Sequence, residues 1–225
     1  MKRLVMIFIF VPLVGLSQNK YGLKPTNLIQ YKESLKTNPE KELIDLENFT
    51  PDVIMDIRYA TENNFTGKKI YRLAKAYARK PVAEALKKAQ EEFKKSGVGI
   101  KMHDAYRPYS ATVKFYEEYH DTTYVASPYK GSRHNRGCAL DMTIVDWKTK
   151  KELKMPTEYD SFSKEAWPST PAKDPEAKKN RDLIIRVMEN NGFKVNASEW
   201  WHFDFLGWNK YEVMDIDFEE LETKR

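Results

Sequence analysis

The sequence predicts an α+β fold, a single domain with a central, largely antiparallel sheet and flanking helices. Two segments, "KPVAEALKKAQEEFKKSG" and the stretch from Pro175 to Gly192, carry apolar residues at helical spacing, whereas "VGIKMHD", "CALDMTIVDW" and "SEWWHFDF" read as strands. The two kinds of segment do not alternate regularly as βαβ units do. At 225 residues, with 41% hydrophobic residues and five tryptophans, the chain is long enough for one sizeable core and reads as one domain.

The chain begins "MKRLVMIFIFVPLVGLSQNK": Lys2 and Arg3, an apolar run from Leu4 to Leu16, then small residues at Gly15 and Ser17. That is the build of a secretory signal peptide over residues 1–17, with export to the periplasm or medium as the expectation. The run, interrupted by Pro12, is well short of the roughly 20 residues that span a bilayer, so no stable membrane insertion is expected after cleavage. Residues 18–50 read as a polar lead-in of uncertain structure. "VIMDIRYATENNFTG" gives a short strand and a turn-rich loop. In the first long helix Pro81 suits the start and Gly97 the stop, with Val82, Ala85, Leu86, Ala89 and Phe93 as its apolar stripe. Val98, Ile100 and Met102 alternate along the next strand, and Ser110 caps a second helix running to Tyr119. "CALDMTIVDW" is a strand that turns back through "KTKKEL". The Pro- and Ser-rich "DSFSKEAWPSTPAKDPE" is a long loop ending at an Asp174-Pro175 helix start, and Gly192 closes that helix.

Composition narrows the chemistry. The formal charge of +5 is modest and spread along the chain, with no basic stripe carrying interleaved aromatics, so nucleic acid is not the expected partner. One cysteine permits no internal disulfide, which leaves core packing or a metal to supply stability. In "GSRHNRGCALDMT", strand parity puts Ala139, Asp141 and Thr143 on one face and the buried hydrophobe Cys138 on the other. A carboxylate on a core strand is costly unless it is paired or holds a metal. His202 also points off a core strand, and Gly137 lets His134 fold back toward Asp141. Two imidazoles, one carboxylate and an open corner form the usual set for a catalytic zinc, one per chain. Glu199 supplies a carboxylate for proton transfer, provided it sits on a bulge or turn ahead of the strand, because on an ideal strand it faces away from His202. Against this stands the plain reading of histidines as packed or surface residues. His103 and His120, which share no such spacing, are expected at the surface.

"SRHNRGCALD" with "EWWH", preceded by "DAYRP" and "YATENNFTG", resembles the VanX-type D-alanyl-D-alanine dipeptidases, zinc peptidases that share the hedgehog/DD-peptidase fold. The resemblance runs from about Asp52 to about Phe205 and makes residues 51–225 the catalytic domain. It implies zinc held by His134, Asp141 and His202, Glu199 as general base and acid, Arg107 stabilising the oxyanion, and Asp104 orienting Arg107. For the substrate D-Ala-D-Ala it implies contacts from Asp160 to the free amine, and from Tyr59 and Ser132 at the pocket wall. Bland readings stand beside these: a surface ion pair for Arg107, a loop cap for Asp160, core packing for Tyr59, and a turn hydroxyl for Ser132. A D,D-carboxypeptidase or endopeptidase trimming peptidoglycan stems is the alternative activity, and a non-catalytic binding domain the third.

Overall fold

The computed structural model describes residues 20–223, so the expected signal peptide lies outside the described residues. In chain order the elements are α1 (Leu28–Thr37), β1 (Leu43–Asp45), α2 (Leu46–Phe49), β2 (Ile54–Met55), β3 (Tyr77–Arg79), α3 (Lys80–Lys95), β4 (Val98–Asp104), α4 (Tyr109–Glu118), β5 (Ala139–Asp146), α5 (Pro175–Asn190), β6 (Phe193–Val195), β7 (His202–Phe205) and α6 (Phe218–Glu222). The main sheet has the order β2-β4-β5-β7-β6, and only the β2–β4 pairing is parallel. This is the expected α+β architecture with a largely antiparallel sheet. Helices α3 and α5 pack together beside this sheet, with α3 against β4 and α5 against β5 and β6. Val82, Leu86 and Phe93 of α3 and Ile184, Val187 and Met188 of α5 are fully buried. Gln90 of α3 closes this layer by accepting the Ile100 backbone N–H at 3.0 Å.

Four features differ from the sequence reading. Residues 28–49 are an integral layer, because Tyr31, Leu43 and Leu46 are buried anchors in an otherwise polar stretch and β1 pairs antiparallel with β3. Helix α4 starts at Tyr109, one residue before Ser110, whose N–H is accepted by Asp215 from the C-terminal segment at 2.9 Å. The strand expected over "SEWWHFDF" begins only at His202, and Glu199 to Trp201 form a turn ahead of it. "FKV" after Gly192 forms β6, an edge strand too short for its periodicity to show. By contrast the start of α5 follows its sequence signal, with Asp174 Oδ1 accepting the N–H groups of Glu176 and Ala177.

Candidate metal centre and active-site pocket

The sheet register builds the centre. Asp141 of β5 lies directly opposite His202 of β7, so both side chains leave the same face. On the other side of β5, a register shift between Met102 and Asp104 brings Asp104 opposite Asp141. Without that bulge His103 would take the place of Asp104. The fourth participant comes from a single helical turn, His134–Arg136, which ends at Gly137 with φ +69°. This left-handed residue turns the chain straight into β5, and Arg79 of β3 donates its backbone N–H to the Gly137 carbonyl at 2.9 Å.

Three donor atoms converge as a result. His134 Nε2 lies 3.3 Å and His202 Nδ1 3.0 Å from Asp141 Oδ1, and the two nitrogens are 3.1 Å apart. Ligands held about 2.0–2.2 Å from a tetrahedral zinc are themselves roughly 3.3–3.5 Å apart, close to this triangle. Asp141 Oδ1 is buried and has no hydrogen-bond partner, an arrangement that is costly unless a cation fills the gap. The ring tautomers suit the same role. His134 gives its Nδ1–H to the Ala105 carbonyl at 2.7 Å, and His202 gives its Nε2–H to Asp204 at 2.9 Å, which turns the other nitrogen of each ring inward. In the metal-free chain burial works against a charged His202, but Asp204 and Asp141 outweigh it and hold the imidazole well above its ordinary pKa, so a proton stands on the nitrogen that a metal would displace it from. Asp141 is held well below the usual carboxylate range, since the two histidines overcome its desolvation. The residues fit a three-ligand zinc site.

Glu199 sits in the turn before β7, closed by the His202 N–H on the Glu199 carbonyl, and its carboxylate lies 3.6 Å from His202 Nδ1. Burial first, then Asp141 and Asp160, push its carboxyl up to about 8. Two nitrogens of Arg107 grip Asp104 Oδ2 at 2.9 and 2.8 Å, while the ring faces of Phe115 and Tyr59 lie 4.7 and 5.3 Å from the guanidinium carbon. Asp104 Oδ1 is taken by Tyr71 and the Ala105 N–H, so Asp104 serves as an anchor behind Arg107. Asp160 has φ +59°, accepts the Tyr59 hydroxyl at 3.0 Å, and is pushed up to about 7 by burial and then by Asp141. Ser132 Oγ accepts the Asn135 N–H, leaving its own proton for the pocket. Glu199, Arg107, Tyr59, Asp160 and Ser132 line one cavity of ≈ 120 Å³ together with His134, Asp141 and His202, walled by Phe65, Phe115, Phe162 and Trp201.

His103 corrects the sequence reading, being buried rather than superficial because β4 is a central strand. It forms a second group with Asp56 and Glu152, but Lys101 already reaches those carboxylates at 3.3 and 2.6 Å. His120 is exposed as expected, and Cys138 is buried with its thiol pushed up to about 12 by burial. Sequence reasoning overlooked Asp204 and Tyr159 as partners of the centre. Asp204 was visible two residues after His202 on the same strand face, whereas Tyr159 reaches Asp141 from a loop with no periodic signal.

Residues 39–219 match the family model described as D-ala-D-ala dipeptidase, peptidase M15. The chain belongs to this family. It is 35% identical over 177 residues to the D-alanyl-D-alanine dipeptidase of Escherichia coli, covering 79% of this chain and 91% of that one. The enzyme of the same name from Enterococcus faecalis is 27% identical over 187 residues, covering 74% and 93%. Among solved structures, a vancomycin-resistance D,D-pentapeptidase VanY in complex with Zn(II) is similar at TM-score 0.39 and 13% identity, over 60% of this chain and 75% of that one. The chain is thus an enzyme of a zinc metallopeptidase family.

Proposed function

We propose that the chain is a zinc-dependent dipeptidase that hydrolyses D-alanyl-D-alanine. The observation that carries this is the bare Asp141 Oδ1 between two inward-facing imidazole nitrogens, with the Glu199 carboxylate beside it on the pocket wall. His134, Asp141 and His202 would hold the zinc, whose chemistry when bound would be to polarise the scissile carbonyl and lower the pKa of water. Glu199, whose carboxylate lies 3.6 Å from His202 Nδ1, takes the proton from the attacking water and passes it to the leaving amine. Arg107, fixed by Asp104, meets the negative charge that develops on the carbonyl oxygen. Asp160 pairs with the substrate ammonium, Tyr59 fixes that carboxylate, and Ser132 donates its hydroxyl at the wall.

Size supports a dipeptide over longer peptides. The cavity is small, ≈ 120 Å³, which favours a short substrate. The loop after Asp160 closes one side through Phe162, stacked on Tyr124 at 4.9 Å and packed on Phe65 at 5.1 Å. We further propose export, on the strength of the N-terminal segment, which would bring the enzyme to dipeptides released from peptidoglycan. The deciding assay offers D-Ala-D-Ala and an N-acylated tripeptide ending in D-Ala-D-Ala, with and without chelator. Cleavage of the free dipeptide alone, abolished by chelation, is expected. Equal cleavage of the blocked tripeptide would instead establish the carboxypeptidase alternative.

A further inference from the structure

The two oxygens of Asp141 meet different surroundings. Oδ1 lies bare among the nitrogens of His134 and His202. Oδ2 accepts the Tyr159 hydroxyl at 3.1 Å, and Arg107 stops 3.6 Å away from it. A carboxylate that is to hold a cation through one oxygen must be kept from rotating, and the far oxygen is where it can be held. Tyr159 is itself clamped: its ring packs on His103 at 4.6 Å and against the edge of Trp201 at 5.6 Å, and it is buried. His103 is braced from behind by the carbonyl and carboxylate of Asp56, at 3.3 and 3.5 Å.

We propose that Tyr159 is a positioning residue of the metal centre: its hydroxyl holds Asp141 Oδ2 so that Oδ1 alone faces the cation. This rests on the zinc reading of the site. It also gives the buried His103 a purpose, as the surface on which the Tyr159 ring is seated. Asp160, in the left-handed region, follows directly, so two consecutive residues serve the site: Tyr159 holds Asp141 from behind and Asp160 lines the pocket beside Tyr59.

Tyr159→Phe keeps the ring and removes only the donor. Zinc affinity, read by competition with a chromophoric chelator, is expected to fall about 10- to 100-fold. The visible absorption of the Co²⁺-substituted protein should change as the carboxylate turns, and kcat should fall with KM nearly unchanged. Thr157→Val is the control for loop loosening, since it removes the acceptor of the Trp200 indole N–H in the same loop without touching Asp141. It is expected to bind zinc as the parent does. Parental zinc affinity and an unaltered cobalt spectrum in Tyr159→Phe would overturn the inference and leave the dipeptidase reading standing. So would an equal loss of affinity in Thr157→Val. A parent chain that binds no zinc would instead remove the reading beneath it.

Discussion

Glu199 and Asp160 are both carboxyls raised by burial, and the proposed reaction gives them different parts of the substrate, the scissile bond to Glu199 and the free amine to Asp160. Glu199 stands 3.6 Å from His202 Nδ1, where the proposed mechanism has it take a proton from water and return it to the leaving amine. Glu199→Gln preserves the shape and removes the base. The expected outcome is a loss of about 10²–10⁴ in kcat with zinc content unchanged, measured by steady-state kinetics and metal analysis on the same sample. Asp160 is tied to Tyr59 and contacts no metal donor, so its neutral form costs binding rather than chemistry. Asp160→Asn removes a charge-assisted contact of about 1.5–3 kcal/mol, which predicts a KM higher by roughly 10- to 100-fold and a smaller change in kcat. An equal fall in kcat with KM unmoved would place Asp160 at the reacting bond instead.

At the level of elements, the site is assembled by register and by one turn. Gly137 links the His134 turn to β5, and a Cβ there would lie 2.9 Å from Leu43 Cδ2 and 3.3 Å from the Arg79 backbone nitrogen. Gly137→Ala therefore combines left-handed strain with a clash against β1 and β3, for an expected destabilisation of about 1–3 kcal/mol in urea unfolding. Weaker zinc binding should accompany it, because relief of the clash moves His134 away from Asp141. The same contact explains what the sequence hid. His134, Gly137 and Asp141 lie within one short stretch, and His202 shares a strand face with Asp204, so local spacing and parity suffice to find them. The β1 layer that presses on Gly137 sits in a polar segment whose buried anchors, Tyr31, Leu43 and Leu46, follow no period. The bulge that sets Asp104 opposite Asp141, and the reach of Tyr159 from its loop, depend on strands and loops far apart in the chain. Periodicity carries no information about either.

For the whole molecule, the buried charges make stability depend on pH and metal together. Glu199 is pushed up to about 8 and Asp160 to about 7 by burial and neighbouring carboxylates. Unfolded carboxyls ionise near pH 4, so between about pH 4 and 8 the folded chain holds protons that the unfolded chain has released. Stability contributed by these groups therefore falls as pH rises through that window. His202 acts in the same sense: burial lowers its pKa, Asp204 and Asp141 raise it further, and its contribution is lost as pH climbs through the raised value. His103 opposes them, because burial lowers its pKa and the penalty for keeping it neutral disappears above about 6.5. Asp141, ionised throughout, adds no slope in this range. The zinc-free protein is thus expected to melt at a lower temperature at about pH 8 than at about pH 6. Zinc replaces protons at the same centre and binds its ligands better when they are deprotonated, so its stabilising increment should be larger at the higher pH. Thermal melts at both pH values, with zinc and with chelator, measure both slopes. A zinc-free melting temperature that rises from pH 6 to 8 would show that the buried carboxyls do not hold their protons.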